Sequence, residues 1–406
     1  MIQARDELEV LRVAVVGAGL AGLACARGLS RQSGCEVTVF EKSRGLGGRC
    51  ALRSLHAGRR VAIGAPSLLG DAALWRAVEN HLGLASGLDL VGDPSPLETL
   101  APELLAPEAA HLQAYGAPDG TLTAFIEALA AGLDVRCQRR AEAVERDADG
   151  RWSLVLRLAD EGDRTEVVGP FDVLVLALPE PQAFDLLEPV FGAAETSRVS
   201  ARRRAQAREE AGADALQGWL DAYPVRAGTW QPVFTALLKP PSAGLTAQAV
   251  RTASIPGAAP PLALGTRRSA TEALATEGFV LHAAPAWSRA HLEEAAPLVL
   301  EAMASAWQMR EAAWVSPTPG GDPNRGAAAD GSQRLPGAAA ARPLHRWRYA
   351  FTTAPMGLGA LWASDQRLGL CGDWLDDGTG GGALRSGLAL MSALHTGGRT
   401  RDGEDA

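Results

Sequence analysis

The chain has 406 residues, 47% of them apolar and 21% charged, with a formal net charge of −8 and a pI near 5.5. That length allows two domains with sizeable cores, while the acidic balance excludes the basic face that nucleic-acid binding requires. Five scattered cysteines, none spaced C-x-x-C, exclude a disulfide framework and a structural zinc site.

Single thiols of this kind fit a reducing cytoplasmic setting. Each reads as a small buried hydrophobe. Residues 1–9 hold three acids and one arginine, unlike the basic start of a signal peptide. The apolar stretch 13–26 is broken by Gly17, Gly19 and Gly22, and it falls short of the roughly 20 residues of a membrane span. A soluble cytoplasmic protein without a membrane span, a nucleic-acid partner or a metal is expected.

Residues 11–16 (LRVAVV) form a short valine-rich run ending at glycine, as a buried parallel strand does. Residues 20–31 have helical composition, and residues 36–41 (EVTVFE) alternate as a second strand. Strand, helix and strand fit the size of one βαβ unit. Helices are predicted over 73–87 and 121–132, the second opening on Thr121 as a cap and ending at Gly132. Residues 133–137, 141–147 and 152–158 read as strands, with Asp149-Gly150 as a turn between the last two. Residues 171–178 (FDVLVLAL) form an apolar strand ending at Pro179. Residues 192–215, rich in alanine, arginine and glutamate, read as an exposed helix. Residues 316–342, rich in glycine, proline and alanine, read as a long loop, and residues 397–406 as a frayed tail.

Gly17, Ala18, Gly19, Leu20, Ala21 and Gly22 match G-x-G-x-x-G, here in the required place between a strand and a helix. Gly17 permits the tight turn, Gly19 lets the backbone approach a pyrophosphate, and Gly22 lets helix and strand pack closely. The pyrophosphate of a dinucleotide would meet the positive end of the helix. Glu41 stands at the end of the second strand, where an acid accepts hydrogen bonds from both ribose hydroxyls and repels a 2′-phosphate. NADP is thereby excluded as the primary dinucleotide.

The block that follows, Glu41, Lys42, Ser43, Arg44, Gly45, Leu46, Gly47, Gly48 and Arg49, resembles the E-x-x-x-x-x-G-G-R extension of glutathione-reductase-type and amine-oxidase-type flavoproteins. It adds a second glycine turn and a guanidinium suited to phosphate oxygens. Far downstream, an apolar run ends in Gly372 and Asp373, and a glycine cluster including Gly382 precedes a helix from about Ala383 to Leu394. In that superfamily such a Gly-Asp lies near the ribityl phosphate, and the helix start faces the flavin pyrimidine edge, where a helix N-terminus stabilises negative charge.

Three more segments narrow the resemblance: 171–183, 279–289 and His345-Arg346-Trp347-Arg348-Tyr349-Ala350. With the two cofactor blocks they are similar to bacterial renalase-like proteins of the flavin amine-oxidase superfamily. The resemblance implies an α/β fold: a Rossmann-type FAD-binding domain with a second α+β substrate domain. The FAD domain would comprise 1–70, 133–190 and 362–396, and the substrate domain 71–132 and 191–361. It also implies hydride transfer from a small reduced substrate (an amine or dihydronicotinamide) to the flavin, with O2 or another acceptor reoxidising it; no histidine or cysteine stands in a flavinylation pattern, so non-covalent FAD is expected. His345, Arg346, Trp347 and Tyr349 become the pocket candidates; strand alternation sets the arginines on one face and the aromatic pair on the other.

The sequence departs from that family at two places. Gly64-Ala65-Pro66-Ser67 lacks the amide and aromatic ring usual after the Gly-Gly-Arg block, and Asp119-Gly120-Thr121 lacks the usual tryptophan and methionine. These losses leave open a flavin-dependent desaturase or isomerase acting on an apolar substrate, or an FAD-binding protein without turnover. An NAD-dependent dehydrogenase is a further alternative.

Overall fold

Leu11–Val16 forms β1, Leu20–Ser30 α1 and Cys35–Phe40 β2, so the predicted βαβ unit is present almost residue for residue. The computed structural model describes residues 10–50, 52–54, 60–91, 112–117, 121–191, 216–221, 227–238, 252–254, 262–268, 278–314 and 344–397. The segments 192–215 and 316–342, Asp119 and Gly120, and nearly all of the 397–406 tail lie outside them. The chain divides into two units.

The first unit is built on a six-stranded sheet of order β18-β19-β12-β1-β2-β8. Its members beyond the βαβ unit are β8 (Asp134–Arg136), β12 (Val173–Leu176), β18 (Leu361–Ala363) and β19 (Leu368–Leu370). Every pairing is parallel except the edge pair β18–β19. Val13, Val15, Val37, Val39, Val173 and Val175 point to one face, where α1, α3 (Thr123–Ala130) and α7 (Gly380–Gly397) bury them. A sheet apolar on this face needs helices to cover it.

A three-stranded antiparallel sheet, β9 (Arg139–Arg146), β10 (Trp152–Leu158) and β11 (Arg164–Phe171), also belongs to this unit. The period-two pattern of residues 152–158 is visible as strict burial alternation along β10. Phe171 sits edge-on to Phe40 of the main sheet at 5.9 Å. Residues 164–170 are a strand that the sequence reading did not anticipate, because their alternation leaves both faces largely exposed.

Residues 71–132, expected in a substrate domain, fall in the first unit where they are described. The physical reason is their apolar face: Leu74, Val78, Leu82, Leu122, Phe125, Ile126 and Leu129 join the same core as α1 and α7. The helix predicted over 73–87 is α2 (Ala72–Ala77) continuing as a π-helical turn, Val78–Leu82. Gly83 ends it at φ 62°, a conformation glycine takes without strain. The predicted cap Thr121 lies two residues before α3, and its Oγ1 accepts from the Thr123 N–H at 3.4 Å.

The second unit comprises 53–63 and 231–350. Its sheet has the order β14-β15-β16-β13-β17: β13 is Trp230–Leu238, β14 Thr252–Ser254, β15 Leu262–Arg268, β16 Gly278–Ala283 and β17 Leu344–Thr352. Helix α6 (Ala296–Trp314) places Val299, Met303, Ala304 and Ala306 against Phe234, Ala236, Leu281 and Ala283.

Candidate functional site

The glycine loop leaves β1 at Gly17, whose N–H donates to the Phe40 carbonyl at 2.8 Å. Gly17 adopts φ 107°, and a Cβ there would sit 2.4 Å from the Ala177 carbonyl oxygen. Gly22 is packed harder still: its Cβ would lie 2.0 Å from the Gly17 oxygen. Gly19 is the opposite case. It stands at the N-cap of α1 with no side chain capping the helix, and a Cβ there would meet nothing within 4 Å. The first turn of α1 therefore opens onto free space, with unspent helix N–H groups available to an anion.

The second glycine turn is laid on the first. Gly47 donates its N–H to the Ala18 carbonyl at 2.8 Å. Gly47 and Gly48 take φ 95° and 54°, and a Cβ on Gly48 would be 3.4 Å from Gly19 Cα. The two turns form one backbone cradle from residues about 30 apart in sequence.

Glu41 is buried beside this cradle. Its Oε2 accepts the Ala18 N–H at 2.9 Å and its Oε1 the Ser43 N–H at 2.8 Å. Each carboxylate oxygen retains a second acceptor site, so ribose contacts remain compatible with these bonds. Lys42 and Arg44 are exposed beside Glu41, reaching Gln182 at 3.4 Å and Gln138 at 3.2 Å. Ala18, Leu20 and Ala21 are buried.

Arg49 and Asp373 are brought together directly. Two charge-assisted bonds of 2.7 and 2.6 Å join the guanidinium to the carboxylate in bidentate fashion. The Arg49 side chain is 32% exposed and that of Asp373 5%. Burial works against the charge on Arg49, but the Asp373 carboxylate outweighs it and raises the guanidinium above its usual range. Sequence reasoning assigned the two residues to different parts of a cofactor; it did not anticipate that they pair. The neighbouring Cys50 thiol is pushed up to about 12, chiefly by burial.

The segment that departs from the renalase-like pattern lies against the same backbone. Ala65 donates its N–H to the Arg49 carbonyl at 3.0 Å, and a Cβ on Gly64 would be 1.8 Å from that oxygen. Ser67 opens β5 (Ser67–Gly70) and is buried.

Gly372 and Asp373 follow β19 as expected, with Gly372 N–H donating to Ser386 Oγ at 2.9 Å. Gly382 and Ala383 lie in the first turn of α7. The helix starts earlier, at Gly380. Thr379 caps it, its Oγ1 accepting the Gly382 N–H at 2.9 Å and its carbonyl the Ala383 N–H at 3.0 Å. A Cβ on Gly382 would be 2.0 Å from Asp377 Oδ1, and one on Gly381 would be 1.9 Å from the Leu69 carbonyl. Close packing therefore accounts for these glycines. Thr379 was missed; a threonine three residues before Gly382 was the legible signal.

The pocket candidates lie in the second unit. Arg346 and Arg348 both reach Glu293, at 3.7 and 2.7 Å, as expected for one face of a strand. Trp347 packs with Ile63, Leu237 and Val280, and its Nε1–H donates to Thr235 Oγ1 at 3.0 Å. His345 stands edge-on to Trp347 at 4.0 Å; Tyr349 is half-buried. Buried His282 bonds Thr235 Oγ1 through Nδ1 at 2.9 Å.

With this geometry in place, residues 15–80 match the family model of the NAD(P)-binding Rossmann-like domain. The first unit thus contains a Rossmann-like domain of the NAD(P)-binding kind within a mixed α/β fold. Protein FLOWERING LOCUS D of Arabidopsis thaliana is 42% identical over 90 residues, which cover 21% of this chain. The chain spans only 11% of the length of that relative. An oxidoreductase from Methanosarcina mazei is similar over 95% of this chain and 100% of its own, at 14% identity and a TM-score of 0.51. A CLA-producing fatty acid isomerase from P. acnes is similar over 95% of this chain and 99% of its own, at 13% identity and a TM-score of 0.52. At such identities the likeness shows the shared fold. The expected α/β class with a Rossmann-type domain is borne out. Among the described residues, no helix is long and apolar enough to cross a membrane.

Proposed function

We propose that the chain is an FAD-dependent oxidoreductase of the amine-oxidase and renalase-like type, taking hydride from a small reduced substrate such as an amine or dihydronicotinamide. The carrying observation is the double glycine cradle at Gly17–Gly22 and Gly47–Gly48, with Glu41 bonded to Ala18 and with Arg49, next after Gly48, paired to Asp373. The donor set fits a dinucleotide. The open turn at Gly19 and the α1 N–H groups suit a pyrophosphate, Glu41 suits the adenosine ribose, and Arg49 adds a cation where two phosphates bring negative charge. Asp373 holds that cation in one orientation, so a ligand need not order it.

FAD supplies two-electron redox chemistry when bound, with O2 as the proposed acceptor. The protein contributes binding, orientation and exclusion of water. Attachment is proposed to be non-covalent; the thiol beside Arg49, Cys50, is buried and pushed up to about 12, which keeps it protonated and a poor nucleophile at neutral pH. Trp347, Tyr349, Arg346 and His345 are proposed as substrate-pocket residues on β17.

The test is the absorbance spectrum of the purified protein, followed by anaerobic addition of amines and of NADH and NADPH preparations containing their isomers. Flavin bands that bleach and then recover in air support the proposal. A protein that takes up no FAD on reconstitution overturns it. A fatty acid isomerase shares the fold, and a desaturase or isomerase on an apolar substrate is the second reading; bleaching by no reductant together with double-bond migration in a lipid substrate would select it.

A further inference from the structure

Glu180 opens α4 (Glu180–Phe191) in the first unit and is fully buried, with 0% of its surface exposed. Its two carboxylate oxygens each accept an indole N–H, from Trp219 at 3.0 Å and from Trp230 at 3.3 Å. Both rings are themselves buried. A carboxylate removed from water is costly unless its oxygens are satisfied, and here each oxygen accepts an indole N–H.

The two tryptophans lead to the two halves of one ion pair. The guanidinium carbon of Arg49 lies 5.8 Å from the centre of the Trp230 ring, within cation–π range. Trp219 packs on Trp374 at 5.6 Å, with the rings inclined at 33°. Trp374 directly follows Asp373 and is anchored by its own N–H, which donates to the Leu178 carbonyl at 3.0 Å. Glu180 thus reaches Arg49 through one ring and the Asp373 segment through two.

We infer that Glu180, Trp219 and Trp230 are positioning residues for the Arg49–Asp373 pair, fixing the guanidinium at the dinucleotide cradle. An arginine side chain has many rotamers, and a planar fork binds a phosphate well only when its orientation is set in advance. Asp373 sets the fork at its edge. Trp230 limits it at a face, and Glu180 holds Trp230 by the one polar atom the ring offers. This assignment rests on the reading of the cradle as an FAD site.

The test is the rate of FAD release from the holoprotein, followed by recovery of flavin fluorescence, with thermal unfolding measured in parallel. Arg49→Gln is expected to speed release about tenfold, the scale of one lost charge-assisted hydrogen bond. Trp230→Leu is expected to speed it several-fold in the wild-type background and to add nothing in the Arg49→Gln background. Trp230→Phe, which keeps one aromatic ring for the guanidinium but loses the pyrrole half of the indole with its N–H, serves where the leucine variant does not fold, and is expected to lie between. Equal effects of the Trp230 change in both backgrounds would overturn the positioning role, since the ring would then act on packing alone. An Arg49→Gln protein that releases FAD at the wild-type rate would instead remove Arg49 from the cofactor site, and the inference with it. A wild-type protein without flavin is a separate result that defeats the underlying reading first.

Discussion

Arg49 and Asp373 stand 324 residues apart in the chain and share two hydrogen bonds of 2.7 and 2.6 Å. One follows the second glycine turn and the other lies just beyond the last parallel strand, β19, so this pair ties an early segment of the first unit to a late one. Removing one partner leaves a largely buried charge uncompensated. Asp373→Asn is expected to lower stability by about 2 kcal/mol, less than a fully buried pair because the arginine is partly open to water. The double variant Arg49→Gln/Asp373→Asn should recover part of that loss. Denaturant titration of the three proteins measures the coupling; strictly additive losses would show that the pair is not a unit.

The glycines of the first loop separate folding from binding. Gly19→Ala places its methyl in open space at an ordinary φ of −80°, so stability should change by no more than about 0.5 kcal/mol. Its methyl stands where a dinucleotide backbone would approach, and FAD affinity should fall. Gly22→Ala instead drives a Cβ to 2.0 Å from the Gly17 oxygen and should fail to yield folded protein. Circular dichroism and flavin content of the two variants decide the matter. A Gly19→Ala protein with unchanged FAD affinity would speak against the cradle as the pyrophosphate site.

Glu41 serves the fold as well as the proposed ribose contact. Glu41→Gln turns an amide NH2 toward either the Ala18 or the Ser43 N–H, at a cost of about 1–3 kcal/mol for the unsatisfied buried group. Glu41→Arg should abolish FAD retention outright through lost acceptors and a wrong charge. Flavin content after gel filtration reads this directly. Wild-type retention in the arginine variant would remove Glu41 from the ribose assignment.

Cys50 makes the alkaline limb of stability steeper. Its thiol holds its proton to about pH 12 in the folded protein, against an ordinary value of 9.0. Between those values the unfolded chain has released the proton and the folded one has not, so the unfolded state binds fewer protons and stability falls as pH rises. The slope contributed is about 1.4 kcal/mol per pH unit at most, and none of it is present below about pH 9. Cys50→Ala should flatten stability against pH between 9 and 11, and wild-type Cys50 should resist iodoacetamide at pH 8 until the protein unfolds.

The βαβ unit, the double glycine turn and the acid at the end of β2 were legible in the sequence because their requirements are local. A positive φ at Gly17, a missing Cβ at Gly22 and a valine-rich strand on either side of a helix are written within some forty residues. The parallel strand 173–176 and the Gly-Asp turn were legible for the same reason. The tertiary structure alone decided the rest. The described parts of 71–132 joined the first unit because Leu74, Val78, Phe125 and Ile126 had an apolar face to bury against α1 and α7, and periodicity says that a face must be buried without saying against what. Gly381 and Gly382 read in the sequence only as a glycine cluster; the tertiary structure sets the Leu69 carbonyl and the Asp377 carboxylate where their Cβ atoms would stand. The pairing of Arg49 with Asp373, and the place of Glu180 behind it, depend on contacts between distant segments, and side-chain identity along one strand holds no record of its partner across the fold.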